Sequence, residues 1–245
     1  VYAPEGPEVN TFLKSIDAYN SRENNPTNWS VNPHLGDNYL QQMISEKPGN
    51  VMVVSGKNSK KIDYIHAAVK AGLNVYADKP LVTNPDGLKK LEEVFRIAEE
   101  NNVLVYDIMT ERFEVNTGIQ KAFSMVSSVF GELVDGTPEN PAISKESIHH
   151  LFKYVSGKPL VRPAWFLDTE QQGEGIIDVT THLVDLVQWE AFPNQIIKSS
   201  EIDMLSAKRW PTILSKDQFK KITGLNSYPN YLEKDKIEND LHVYC

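Results

Sequence analysis

The chain has 245 residues, an apolar fraction of 40%, a charged fraction of 24% and a net charge of −8. These values describe a globular protein of one large or two small domains and argue against a nucleic-acid surface, which needs clustered Lys and Arg. No apolar run approaches the ~20 residues of a membrane span, and the single Cys245 excludes an internal disulfide framework and a Cys-based zinc site.

Taken in order, Val1 to Ala3 reads as the end of a strand. Residues 8–19 carry apolar groups at helical spacing. Residues 20–38 are rich in Asn, Pro, Ser and Gly and read as a loop, followed by a short helix near Tyr39 to Ser45. Val51 to Val54 is all apolar, the pattern of a strand buried on both faces. Residues 59–71 form a helix with Ile62, Ile65 and Val69 inward, closed by Gly72. Val75 to Ala77 is the next strand. Asn84, Pro85 and Asp86 supply the cap, first position and dipole partner of another helix, with Leu88, Leu91, Phe95 and Ala98 as its inner face. Val103 to Tyr106 is the third strand.

Strand and helix alternating at this spacing mean parallel βαβ units, an α/β class with a doubly wound sheet. Ligands on such sheets bind beyond the carboxyl ends of the strands. Two loops lie there: Ser55-Gly56-Lys57-Asn58 and Asp78-Lys79-Pro80. A Lys in that crevice can donate to a hydroxyl or carbonyl oxygen, and the following Pro stiffens the turn and tolerates a cis bond. A surface turn with a solvated Lys explains Asp78-Lys79-Pro80 about equally well.

After Tyr106 the alternation ends. A helix from about Arg112 to Ser127 leads to strand-like pieces at Glu132 to Val134, Ile202 to Ala207 and Leu241 to Cys245. Ser215 and Gln218 form a capping box for a helix ending at Gly224. The division expected is 1–112 for the first domain and 113–245 for the second, both incomplete, and the chain reads as a piece of a longer protein.

The most informative stretch is Gly173 to Asp185. Ile176, Ile177, Val179, Leu183, Val184, Leu186 and Val187 predict a helix that is apolar almost all round and buried. Asp178, His182 and Asp185 fall at i, i+4 and i+7 on one stripe of it. Buried carboxylates and an imidazole need partners, and such a stripe is a candidate active site. Asp178 can orient His182 and favour its charged form, and an imidazole can take a hydroxyl proton near neutral pH. The competing reading is a satisfied polar cluster. No metal is expected, because two carboxylates and one His on a helix make a weak zinc pattern.

Gly72 to Leu81 resembles the "AG-x-x-V-x-x-EKP-L" signature of the Gfo/Idh/MocA oxidoreductases, which include glucose–fructose oxidoreductase and inositol dehydrogenase. Gly173 to Asp185 resembles their second signature, "GG-x-x-x-D-x-x-x-H-x-x-D", about a hundred residues later, and the chain is most similar to a bacterial branch of that family. The resemblance implies a Rossmann-like nucleotide-binding domain and an α+β domain with an open, mainly antiparallel sheet. It implies NAD or NADP as cofactor and hydride transfer at a hydroxyl-bearing carbon of a sugar, polyol or cyclitol. It assigns catalysis to Lys79, His182 and Asp178. Ser55, Gly56, Asn58, Asp78, Lys79 and Pro80 would lie at the cofactor, and Arg112, Lys153 and Asp185 at the substrate. A small carbohydrate-like molecule is the partner implied, in a bacterial cytoplasm or periplasm, with a homo-oligomer through the C-terminal sheet left open. An NAD-dependent glycoside hydrolase and a non-catalytic sugar- or dinucleotide-sensing protein are the rival readings.

The sequence departs from the family pattern in four places, one being the loop at 55–58, which lacks the family proline. No Gly-x-Gly-x-x-Gly occurs in these residues, Asp78 stands for the usual Glu, and Glu174 interrupts the glycine pair. His149 and His150 with Lys153 and Tyr154 are further candidates to line a substrate crevice. His66 reads as structural, and Trp165 and Trp210 as core or interface.

Overall fold

The structure, a computed structural model, describes all residues except His149 and Ser156, so the reading that involves His149 falls outside the described residues. Among the described residues no helix is long and apolar enough to cross a membrane.

The fold is α/β. Strand β1 (Tyr2–Ala3) is followed by helix α1 (Pro7–Asn20), then by β2 (His34–Leu35), which pairs parallel with β1. Helix α2 (Tyr39–Glu46) leads to β3 (Val51–Val54), α3 (Lys61–Lys70), β4 (Asn74–Asp78), α4 (Asp86–Glu100) and β5 (Val105–Ile108). Strands β3, β4 and β5 form a parallel sheet in that order, with Val54 opposite Ala77 and Asp78 opposite Ile108. The predicted βαβ units are therefore present. β5 starts two residues later than the sequence pattern suggests.

The core of this half lies between the sheet and helices α2, α3 and α4. Val54, Val75 and Ala77 meet Met43, Ile65, Ala68, Val69, Val94 and Ile97 there. The expectation that Val51 to Val54 is buried on both faces is corrected: Val51, Val53, Tyr76 and Tyr106 are exposed. Side chains of a strand alternate between faces, and α3 and α4 pack on only one of them. The inner face of α4 also differs from the sequence reading. Val94, Ile97 and Ala98 are buried, whereas Leu88 and Phe95, one helical stripe away, are about half exposed.

A 3₁₀ turn (Thr110–Phe113) and two helices, α5 (Val115–Ser124) and α6 (Ser127–Phe130), replace the single predicted helix. The pieces at 132–134 and 202–207 are not strands. A small hairpin of β6 (Tyr154–Val155) and β7 (Lys158–Pro159) follows, then α7 (Thr169–Gln172), α8 (Gly175–Asp178) and α9 (Thr180–Ala191). The chain ends with β8 (Thr212–Leu214), α10 (Lys216–Thr223), β9 (Lys236–Ile237) and β10 (Asp240–Val243). β10 pairs antiparallel with both β8 and β9, the antiparallel sheet expected. Its core joins Phe166, Leu167, Leu214, Phe219, Ile222, Leu232, Leu241 and Val243. The predicted capping box forms: Ser215 Oγ accepts from the Gln218 amide, Gln218 Oε1 accepts from the Ser215 amide, and Gly224 closes α10 with φ +76.

The Asp/His helix is not a single buried rod. It breaks at Val179 between α8 and α9, and Ile176 and Val184 are half exposed. An apolar surface all round identified a buried helix only in part, because α9 lies over the 3₁₀ turn and α5 and leaves its outer side to solvent.

Candidate active site

The glycine turn sets the position of α8. Gly173 has φ +92, a conformation that favours glycine. The Gly175 amide donates to the Tyr244 carbonyl at 2.7 Å, and a Cβ on Gly175 would lie 2.9 Å from the Cys245 backbone. Only a residue without a side chain lets the end of the antiparallel sheet approach this closely.

The turn delivers Asp178 to the carboxyl end of β4. There the Lys79 ammonium donates to the Asp178 carboxylate at 2.6 Å and to the Asp178 carbonyl at 2.5 Å. These residues are 99 positions apart and their side chains are only 16% and 10% exposed. The Lys79–Pro80 bond is cis. Beside the pair opens a cavity of ≈ 340 Å³. One wall is Gly56, Asn58, Asp78 and Lys79; the other is Arg162, Trp165, Phe166, Gln172 and Asp178. The two walls are tied together by hydrogen bonds. Asn58 and Ser59 amides donate to the Gln171 carbonyl at 3.0 and 3.1 Å, and the Asn58 side chain donates to the Gln172 carbonyl at 2.7 Å.

The stripe of three polar residues splits at the break between α8 and α9. Asp178 faces Lys79. Asp185 accepts a bidentate pair from Arg112, with Nε at 2.7 Å, and this carboxylate raises the Arg112 pKa. His182 Nε2 lies 3.8 Å from the Glu111 carboxylate, and His182 Nδ1 is buried without a hydrogen-bond partner among the described residues. Lys79 and Asp178 thus meet as expected, while His182 and Asp185 face the turn that carries Glu111 and Arg112 and are not among the residues lining the cavity. Ser55 is exposed at the mouth of its loop, Pro80 is buried behind Lys79, and Lys153 is exposed beside β6. His66 pairs with Glu93 at 3.2 Å, as a structural histidine would.

The sequence reading gave no site role to four residues. Arg162 and Trp165 line the cavity, so Trp165 is more than a core residue, and Trp210 is exposed, not in the core. Burial lowers the Arg162 pKa while Asp178 opposes the change. Glu111 is the charged neighbour of His182. Lys61 is fully buried and donates to the Asp78 carbonyl at 2.6 Å. The sequence did hold a signal for Lys61: it shares the stripe of Ile65, Ala68 and Val69 at i, i+4, i+7 and i+8. Arg162 and Trp165 lie before any periodic element and carried none.

With this geometry in place, the comparisons with known proteins can be stated. The family described as "Putative oxidoreductase C terminal domain" matches residues 119–245, and the chain belongs to it. A crystal structure described as a "putative oxidoreductase" from Parabacteroides merdae is 52% identical, with a TM-score of 0.94 over 100% of this chain and 56% of that one. GenD2 from gentamicin A biosynthesis, solved in complex with NAD, is 13% identical with a TM-score of 0.53 over 88% of this chain and 49% of that one, which shows a shared fold. The chain therefore spans about half the length of these solved structures. No curated protein matches it.

Proposed function

We propose that this chain forms part of an NAD(P)-dependent oxidoreductase that transfers hydride at a hydroxyl-bearing carbon of a sugar, polyol or cyclitol. The observation that carries the reading is the Lys79–Asp178 contact: a lysine at the carboxyl end of a parallel strand, held across 99 residues by a carboxylate from the second half, beside a cavity. The cavity suits the nicotinamide end of a dinucleotide. Asn58 and Lys79 offer polar contacts, Trp165 and Phe166 offer aromatic faces, and the site lies where open parallel sheets bind nucleotides. The bound nicotinamide supplies the hydride acceptor.

The protein's own share is binding and proton handling. Lys79 donates to the substrate hydroxyl oxygen and draws charge from it, and Asp178 fixes the direction of that ammonium. In this reading His182, which faces Glu111 and does not line the cavity, takes the hydroxyl proton of a substrate that reaches past Asp178 as the C–H hydride departs, leaving a carbonyl. Arg112 holds Asp185, and through it the face of α9 that carries His182. The GenD2 complex with NAD supports a nicotinamide cofactor for proteins of this fold.

The test is calorimetric titration of the full-length protein with NAD(H) and NADP(H), followed by a spectrophotometric screen of polyols, sugars and sugar acids. Binding of one dinucleotide and turnover of one hydroxylated substrate are expected. No binding at millimolar concentrations would overturn the reading.

A further inference from the structure

We infer that Lys61 is a positioning residue: it grips the backbone on both sides of the Lys79 Cα and so aims the Lys79 ammonium at Asp178. Lys61 is the first residue of α3 and is fully buried. A buried ammonium is costly unless it is well bonded. Among the described residues Lys61 has no carboxylate within ion-pair distance; its bonds go instead to the Asp78 carbonyl at 2.6 Å and the Lys79 carbonyl at 3.4 Å. Those carbonyls belong to the peptides before and after the Lys79 Cα, so one cation fixes the main chain from which the second cation extends.

The charge also has a reason to be there. The groups that face Lys61 are Asp78 and Lys79 at the end of β4 and Asp178 on α8. Burial and Lys79 lower its pKa to about 8, and Asp78 and Asp178 hold it up, so it remains mainly protonated at neutral pH and its bonds are charge-assisted. An apolar side chain would fill the same space at less cost. A lysine instead gives the two carbonyls a donor that reaches across from the helix.

The role given to Lys79 rests on the oxidoreductase reading, but the test needs neither substrate nor cofactor. Intact full-length protein is labelled with trace acetic anhydride at pH 7.5, and the acetylation rate of Lys79 is read by peptide mass spectrometry in wild type, Lys61→Met, Lys61→Gln and Ile65→Ala. Lys79 should label about tenfold faster in Lys61→Met, the scale of one lost charge-assisted hydrogen bond. Lys61→Gln, which keeps a shorter N–H donor, should fall between. Ile65→Ala, which removes a fully buried neighbour on the same stripe, should leave the Lys79 rate within about twofold, since general loosening of α3 is not the cause proposed. An unchanged Lys79 rate in whichever Lys61 variant retains its fold would overturn the inference. So would an equal rise in Ile65→Ala. Failure to bind a dinucleotide, by contrast, would remove the oxidoreductase reading and leave the labelling result standing.

Discussion

Two of the ion pairs that join the halves of the molecule, one on α8 and one on α9, are built differently. Arg112 meets Asp185 with a planar fork that uses both carboxylate oxygens, away from the cavity. Lys79 meets Asp178 through a point charge that also takes the Asp178 carbonyl, and both line the cavity. A guanidinium that spends its donors on one carboxylate acts as a clamp. An ammonium beside open volume keeps a face for a ligand. On the function proposed above, the difference separates residues that hold the site together from residues that act in it.

The sharpest way to break this contrast is to remove each cation. Lys79→Ala should lower kcat/KM by about 10²–10⁴-fold through both KM and kcat, measured by steady-state kinetics, because its charge serves ligand binding and turnover. His182→Ala should lower kcat by about 10²-fold and leave dinucleotide affinity nearly unchanged in calorimetry, the pattern of a group used only in the transition state. Arg112→Met should act on stability instead. A denaturant titration should show a loss of about 1–3 kcal/mol, the range for a charged hydrogen-bonded pair, with KM little altered. If Arg112→Met abolished turnover in a fully folded protein, the clamp would be part of the chemistry and the contrast would fail.

The smallest effect concerns pH. Burial holds the Lys61 pKa at about 8, below the ordinary lysine value, so the folded state releases this proton before the unfolded chain does. The unfolded state then binds more protons above that point, and stability due to Lys61 rises with pH from about 8 toward the unfolded lysine value. Relative to Lys61→Met, wild type should gain a few tenths of a kcal/mol between pH 7 and 8, and more above it, in matched thermal melts. A difference flat with pH would show that Lys61 keeps an ordinary pKa.

Much of this was legible beforehand because local rules and tertiary needs agreed. The glycine and capping signals placed α3 and α10, and the buried strand ends placed Lys79 at a carboxyl edge. That Asp178 needs a partner followed from the cost of an unpaired buried carboxylate, but the partner read from the sequence was His182, whereas the structure gives it Lys79. Where sequence reasoning failed, two faces were equally apolar. Val51 to Val54 is apolar at both parities, so alternation could not tell which side α3 and α4 cover. On α4, Leu88 and Phe95 compete with Val94 and Ile97 for the inner side, and only packing decides. The stripe of Asp178, His182 and Asp185 assumed an unbroken helix. The break at Val179 gave its members different neighbours.

The bonds from Asn58 and Ser59 to Gln171 and Gln172 have a consequence for motion. Spreading the two walls of the cavity would sever these three bonds together with the Lys79–Asp178 pair. The walls are therefore riveted, and the amides of Asn58 and Ser59 should exchange with deuterium only when that joint comes apart as a cooperative unit. On the proposed function, a ligand arriving at Lys79 would meet a fixed slot rather than a closing jaw, its fit decided by shape already present before it arrives.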